Sequence, residues 1–96
     1  MIDIMKSMLF ASISERVMVA SNTDSDLLFS RSKKGNLVYP RTLIVGKCLE
    51  VGLINEDLAY FLDRDHATIS HYLKIHTFWE VRNKDYKQLI EKYEAG

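Results

Sequence analysis

From Asp65 to His71 the chain reads Asp, His, Ala, Thr, Ile, Ser, His, a run of short side chains rich in hydrogen-bond donors and acceptors. Side chains of that size on the first turns of a helix can reach base edges in the major groove of DNA, and Asp65 is placed to cap that helix. Ser70, His71 and Lys74 continue the same polar arc. The remaining reactive residues point to less chemistry. His66, His71 and His76 recur every fifth residue, which turns successive side chains about 140° apart on a helix, so they cannot share one metal ion and no metal is expected. His76 falls on an apolar stripe and is expected to be packed and hydrogen-bonded. Gly46-Lys47-Cys48 echoes the end of a phosphate-binding loop, but Arg41 stands where that motif needs its earlier glycine and Cys48 where it needs Ser or Thr. An ATP site is thereby excluded. Cys48, in an apolar run with no base beside it, reads as a buried structural thiol. Tyr72, Phe78, Trp79, Tyr86 and Tyr93 follow helical core spacing rather than forming a stacking platform for single strands. Neither a cofactor nor an enzymatic activity is expected.

Helices must position these residues. Met5, Met8, Leu9, Ile13 and Val17 recur near a 3.6-residue period and predict a helix from Ile4 to about Val19 with one apolar stripe. Ser21-Asn22-Thr23-Asp24 stops it and caps a short helix through Phe29. A basic loop, Ser30 to Tyr39, turns at Gly35-Asn36. Pro40 suits the first position of a helix reaching about Val51, which is apolar on most sides, hence central, and ends at Gly52. A short helix over 55–62, a long one over 66–82 and a last one from about Lys84 to Tyr93 complete the chain. Asn83 is placed to cap the last, whose stripe is Tyr86, Leu89, Ile90 and Tyr93. On the long helix Ile69, Tyr72, Leu73, His76 and Trp79 fall within about 120° and form the core side. His66, Ala67, Ser70, His71, Lys74 and Thr77 occupy an adjoining acid-free arc. Phe78 and Val81 interrupt it, which predicts that this end packs on another helix. Only Asp63 and Arg64 separate Leu62 from Asp65, so the two helices read as a helix-turn-helix. The fold class is all-α, a compact five- to six-helix bundle forming one domain over residues 1–96.

Asp26-Leu27-Leu28, the basic loop, Tyr39-Pro40-Arg41 and Arg64-Asp65-His66-Ala67-Thr68 resemble, in that order and at about those distances, the C-terminal DNA-binding domain of the bacterial replication initiator DnaA. The resemblance spans nearly the whole chain and rests most on Pro40-Arg41 followed by Arg-Asp-His some two dozen residues later. It implies a Trp repressor-like helical fold that binds a short duplex element, the DnaA box. It further implies that His66, Ala67 and Thr68 face bases in the major groove. Lys33, with Arg31 and Lys34 beside it, would enter the minor groove, and Arg41 would meet a phosphate. The chain departs from the family at several of these positions. Ala67 offers a methyl group in place of a hydroxyl, Lys33 stands for an arginine and Thr42 for a glutamine. Leu62-Asp63 replaces two glycines in a turn one residue shorter.

The formal net charge is zero, unlike the basic balance usual in DNA-binding domains. The charges are unevenly spread. Residues 27–49 hold Arg31, Lys33, Lys34, Arg41 and Lys47 with no acid, whereas residues 50–65 hold five acids and Arg64. Arg41 and Lys47 are accordingly expected to anchor the DNA backbone. The single cysteine rules out an internal disulfide framework and fits a reducing cytosol. Met1-Ile2-Asp3 starts acidic, and neither Met8–Ala11 nor Leu43–Gly46 is long enough for a signal peptide or a membrane span. The expected place is the cytoplasm of a bacterial or phage-infected cell. The expected function is double-stranded DNA binding with sequence preference, by a monomer or weak homodimer. Because the chain begins with Met and carries no ATPase segment, it would serve as a stand-alone regulator, an origin-site competitor or a cut-out domain. The alternative is a protein-interaction module that kept the fold and lost the DNA.

Overall fold

The structure is a computed structural model and describes residues 3–30 and 35–96. Among these residues there are six α-helices and one short 3-10 turn: α1 (Ile4–Ser21), α2 (Ser25–Leu28), the 3-10 turn (Gly35–Leu37), α3 (Val38–Glu50), α4 (Asn55–Leu62), α5 (His66–Arg82) and α6 (Lys84–Ala95). The all-α expectation holds, and helix limits fall within a few residues of those predicted.

The chain's own capping chemistry sets most boundaries. Asp3, Asp24, Asp65 and Asn83 each cap a helix with a side-chain oxygen that accepts a backbone N–H of the first turn. Asn22 closes α1 in the left-handed region at φ 52°, a conformation asparagine tolerates better than most residues. Gly52, at φ 102°, turns the chain after α3 where a β-carbon would be strained. Pro40 is the third residue of α3 rather than its first, because the 3-10 turn leads directly into the helix at Val38. A proline still fits there, since first-turn N–H groups have no partner inside the helix.

α3 is the central element. It packs most extensively on α5 and α1, and also touches α4 and α6. Leu43, Ile44, Val45 and Cys48 on it are fully buried, and Val17, Leu58, Ile69 and Tyr86 meet them from the surrounding helices. Each such side chain contributes roughly 1.5–3 kcal/mol through burial. The α1 stripe differs from expectation. Phe10, Ile13, Ser14 and Val17 face the core, whereas Met5 and Met8 are about two-thirds exposed. Phe10 is fixed there by stacking on Phe61 of α4, ring centroids 4.6 Å apart, and by a tilted contact with Phe29. Leu73 of α5, expected in the core, is 38% exposed, while Ile69, Tyr72 and His76 are buried as predicted.

Candidate nucleic-acid interface

α4 and α5 are joined through Asp63, Arg64 and Asp65. The reversal requires one left-handed residue, and Asp63 provides it at φ 52°. An aspartate thus takes a position that glycine more often fills. The turn is closed by Asp63 N–H donating to Tyr60 O at 3.3 Å and Arg64 N–H donating to Ala59 O at 3.0 Å. Asp65 then starts α5, its Oδ1 accepting from Thr68 N at 2.7 Å. Thr68, through its hydroxyl and its backbone N–H, holds the Asp65 carboxyl below the usual carboxylate range.

Ile69, Tyr72 and His76 fasten α5 to the core, so the opposite face looks outward. His66, Ala67, Ser70, His71, Lys74 and Thr77 are all exposed on it, and the sequence from His66 to Thr77 contains no acid. Thr68 is half-buried and turned back toward the cap. Ser70 Oγ accepts from Asn55 Nδ2 at 3.0 Å, which ties the start of α4 to this face. The residues expected on one arc of α5 are therefore brought together.

Two of the expected backbone anchors are not on that face. Arg41 is 5% exposed, and its guanidinium donates to the carbonyls of Leu28 (2.9 Å), Leu27 (3.2 Å) and Ser30 (2.8 Å). It closes the carbonyl end of α2. Lys47 is engaged at the edge of the bundle by exposed carboxylates. Its ammonium lies 3.4 Å from Glu50 and 3.5 Å from Glu94, and 5.4 Å from the Tyr93 ring centroid. The two residues are held differently: Arg41 turns inward to buried carbonyls, whereas Lys47 pairs with two carboxylates that remain exposed. Thr42 is also fully buried. Arg31, Lys33 and Lys34, the expected minor-groove residues, lie outside the described residues. Phe78 and Val81 do not pack on another helix; they are 59% and 65% exposed, on the same side of α5 as Ala67 and Lys74.

Sequence reasoning used Arg64 as the first residue of the Arg-Asp-His motif but gave it no role. Its Nη1 donates to Leu62 O at 3.2 Å and Asp63 O at 3.0 Å, and its Nη2 to Ser30 O at 2.6 Å. The sequence signals for it were its place at the head of that motif and a cation inside the turn itself.

Beneath the face, His76 Nδ1 lies 2.6 Å from Tyr86 OH, and its Nε2 lies 3.5 Å from Glu80 Oε2. With the ring neutral and its proton on Nε2, the phenol donates to Nδ1 and Nε2–H faces the carboxylate. Burial holds His76 below the ordinary histidine range, and burial also raises the Tyr86 phenol. Cys48 is buried, its thiol pushed up to about 12 by desolvation, as expected of a structural cysteine.

Among the described residues no helix is long and apolar enough to cross a membrane. Set against protein-family models, curated proteins and solved structures, the chain matches none.

Proposed function

We propose that the chain is a double-stranded DNA-binding module that presents the first half of α5 to the major groove. The observation that carries this reading is the exposed, acid-free arc His66, Ala67, Ser70, His71 and Lys74, which begins at a capped helix start after a three-residue turn. A helix-turn-helix offers its second helix to base edges in just this way. His66 would read a base edge, the Ala67 methyl would lie against a thymine methyl, and Lys74 would neutralise a phosphate. Arg31, Lys33 and Lys34 would supply further cations. The arrangement is proposed to be Trp repressor-like, similar to the DnaA C-terminal domain, and to regulate replication or transcription without ATP hydrolysis.

A selection from random duplexes, read at two salt concentrations, tests this. An enriched motif whose affinity falls with salt supports a sequence-reading module, and substituting Lys33 or Lys74 by Ala then flattens the salt slope by about one unit each. Absence of binding at low salt overturns it.

A second reading is favoured by Phe78 and Val81, which expose apolar surface on the same side of α5. It makes that side a protein-binding surface, and binding would then depend weakly on salt.

A further inference from the structure

The first turn of α5 projects ahead of the residues that bury the helix. Its first buried side chain is Ile69, so His66 and Ala67 precede any core anchor on their own helix. A reading head needs its side chains held to a fraction of an ångström, and exposed first-turn residues do not supply that by packing. Arg64 is the residue immediately before the cap, and it is half-buried. Its planar fork gathers two carbonyls of the turn, Leu62 and Asp63, and one carbonyl 34 residues earlier in the chain, Ser30. Ser30 O also accepts from Arg41, whose other bonds hold the end of α2. Two guanidinium groups, one from α3 and one from the turn, thus meet on one carbonyl oxygen, joining α2, α3 and the turn.

We propose that Arg64 is a positioning residue: by bridging the turn carbonyls to Ser30 it fixes the first turn of α5 relative to α2 and α3, and with it the direction in which His66 and Ala67 point. The assignment rests on the DNA-binding reading only for what the fixed turn is used for. A lysine cannot replace the arginine in this role. It carries a single ammonium on a flexible stem and cannot hold the two turn carbonyls and Ser30 in one rigid plane. If Arg64 contributed charge alone, a lysine would suffice.

The test uses the full chain as wild type, Arg64→Lys and Arg64→Ala, well below each melting temperature. Amide hydrogen exchange without DNA is followed at Thr68 and Ile69, whose N–H groups bond to Asp65. In parallel, the ratio of affinities for the selected duplex and a scrambled one is measured across salt concentrations. The expected result is faster exchange at Thr68 and Ile69 in both variants, with the core amides of α3 unchanged. The preference ratio should drop roughly tenfold while the salt slope stays near the wild-type value, as for a lost base contact. Wild-type exchange and preference in Arg64→Lys would overturn the proposal. A salt slope reduced by about one unit with preference intact would also overturn it, making Arg64 a phosphate contact. Should the wild type itself show no preference for any duplex, the DNA reading fails. The positioning role is then decided by the exchange measurement alone.

Discussion

His76 and Tyr86 are joined inside the bundle by a 2.6 Å contact between Nδ1 and the phenol oxygen, and the two rings meet edge to face at 5.7 Å. This contact locks α5 to α6 directly beneath the outward arc of α5. Tyr86→Phe keeps the ring and removes the donor, leaving a buried imidazole nitrogen without its partner. The expected cost is about 1–3 kcal/mol, read as a lower urea midpoint. An unchanged midpoint would mean that the pair contributes no net stability.

The same pair sets a pH window. Because burial lowers His76 below its ordinary range, the unfolded chain binds a proton there that the folded chain refuses. The stability due to the neutral ring is complete above about pH 6.5 and is lost as the pH falls toward the lowered value. Glu80 and Glu50 oppose the shift and Lys47 adds to it, but desolvation dominates. Urea midpoints at about pH 7.5 and about pH 5.5 should therefore differ, the acidic one being lower. Asp57 acts in a separate, more acidic window. Its bonds from Ile54 N–H and Lys6 lower it, so its contribution is present above about pH 4 and is lost below.

Gly46 sits against the imidazole of His76, and a β-carbon there would clash with its ring atoms. The ring cannot step aside without breaking its bond to Tyr86. Gly46→Ala should cost about 1–3 kcal/mol from overpacking, more than the helix-propensity gain of up to about 1 kcal/mol. A variant as stable as wild type in denaturant would show that α3 and α5 can separate cheaply.

Asp57 Oδ2 accepts from Ile54 N and from Lys6 Nζ, both at 2.9 Å. The two bonds are not equivalent. Asp57→Ala removes the cap of α4 along with the ion pair and should cost about 1–2 kcal/mol. Lys6→Ala removes only a partly exposed pair and should cost less than about 1 kcal/mol. Thermal melts of the two variants give the order, and the reverse order would refute the assignment.

Arg41→Ala separates the structural role of that residue from the one its sequence position suggested. It deletes a buried guanidinium from three carbonyl acceptors and should destabilise the fold by about 3 kcal/mol or more. A variant that melts like wild type but binds DNA weakly would restore a phosphate contact.

Helices were legible because their signals are local. Asp65 before a periodic run, Gly52 after one, and Tyr86, Leu89 and Tyr93 in register each carry their own reason. The inner face of α1 was not, because that helix carries large apolar residues on both sides: Met5, Met8 and Val19 outward, Phe10, Ile13 and Val17 inward. Periodicity cannot rank two apolar faces; the stacking of Phe10 on Phe61 does, and that partner lies 51 residues away. Arg41 and Arg64 failed for a related reason. A guanidinium reads as surface charge until the carbonyls it faces are known, and those of Arg41, with the Ser30 carbonyl that Arg64 also meets, belong to other segments. The polar arc of α5 was legible because it depends on one helix and its cap.

Cys48, the single sulfhydryl of the chain, sits with no exposed surface on the central helix α3. A thiol so placed has almost no thiolate to offer an alkylating reagent, so its modification must wait until α3 is uncovered. The rate of labelling in native buffer is therefore a built-in clock for opening of the whole bundle, readable by mass without attaching any probe.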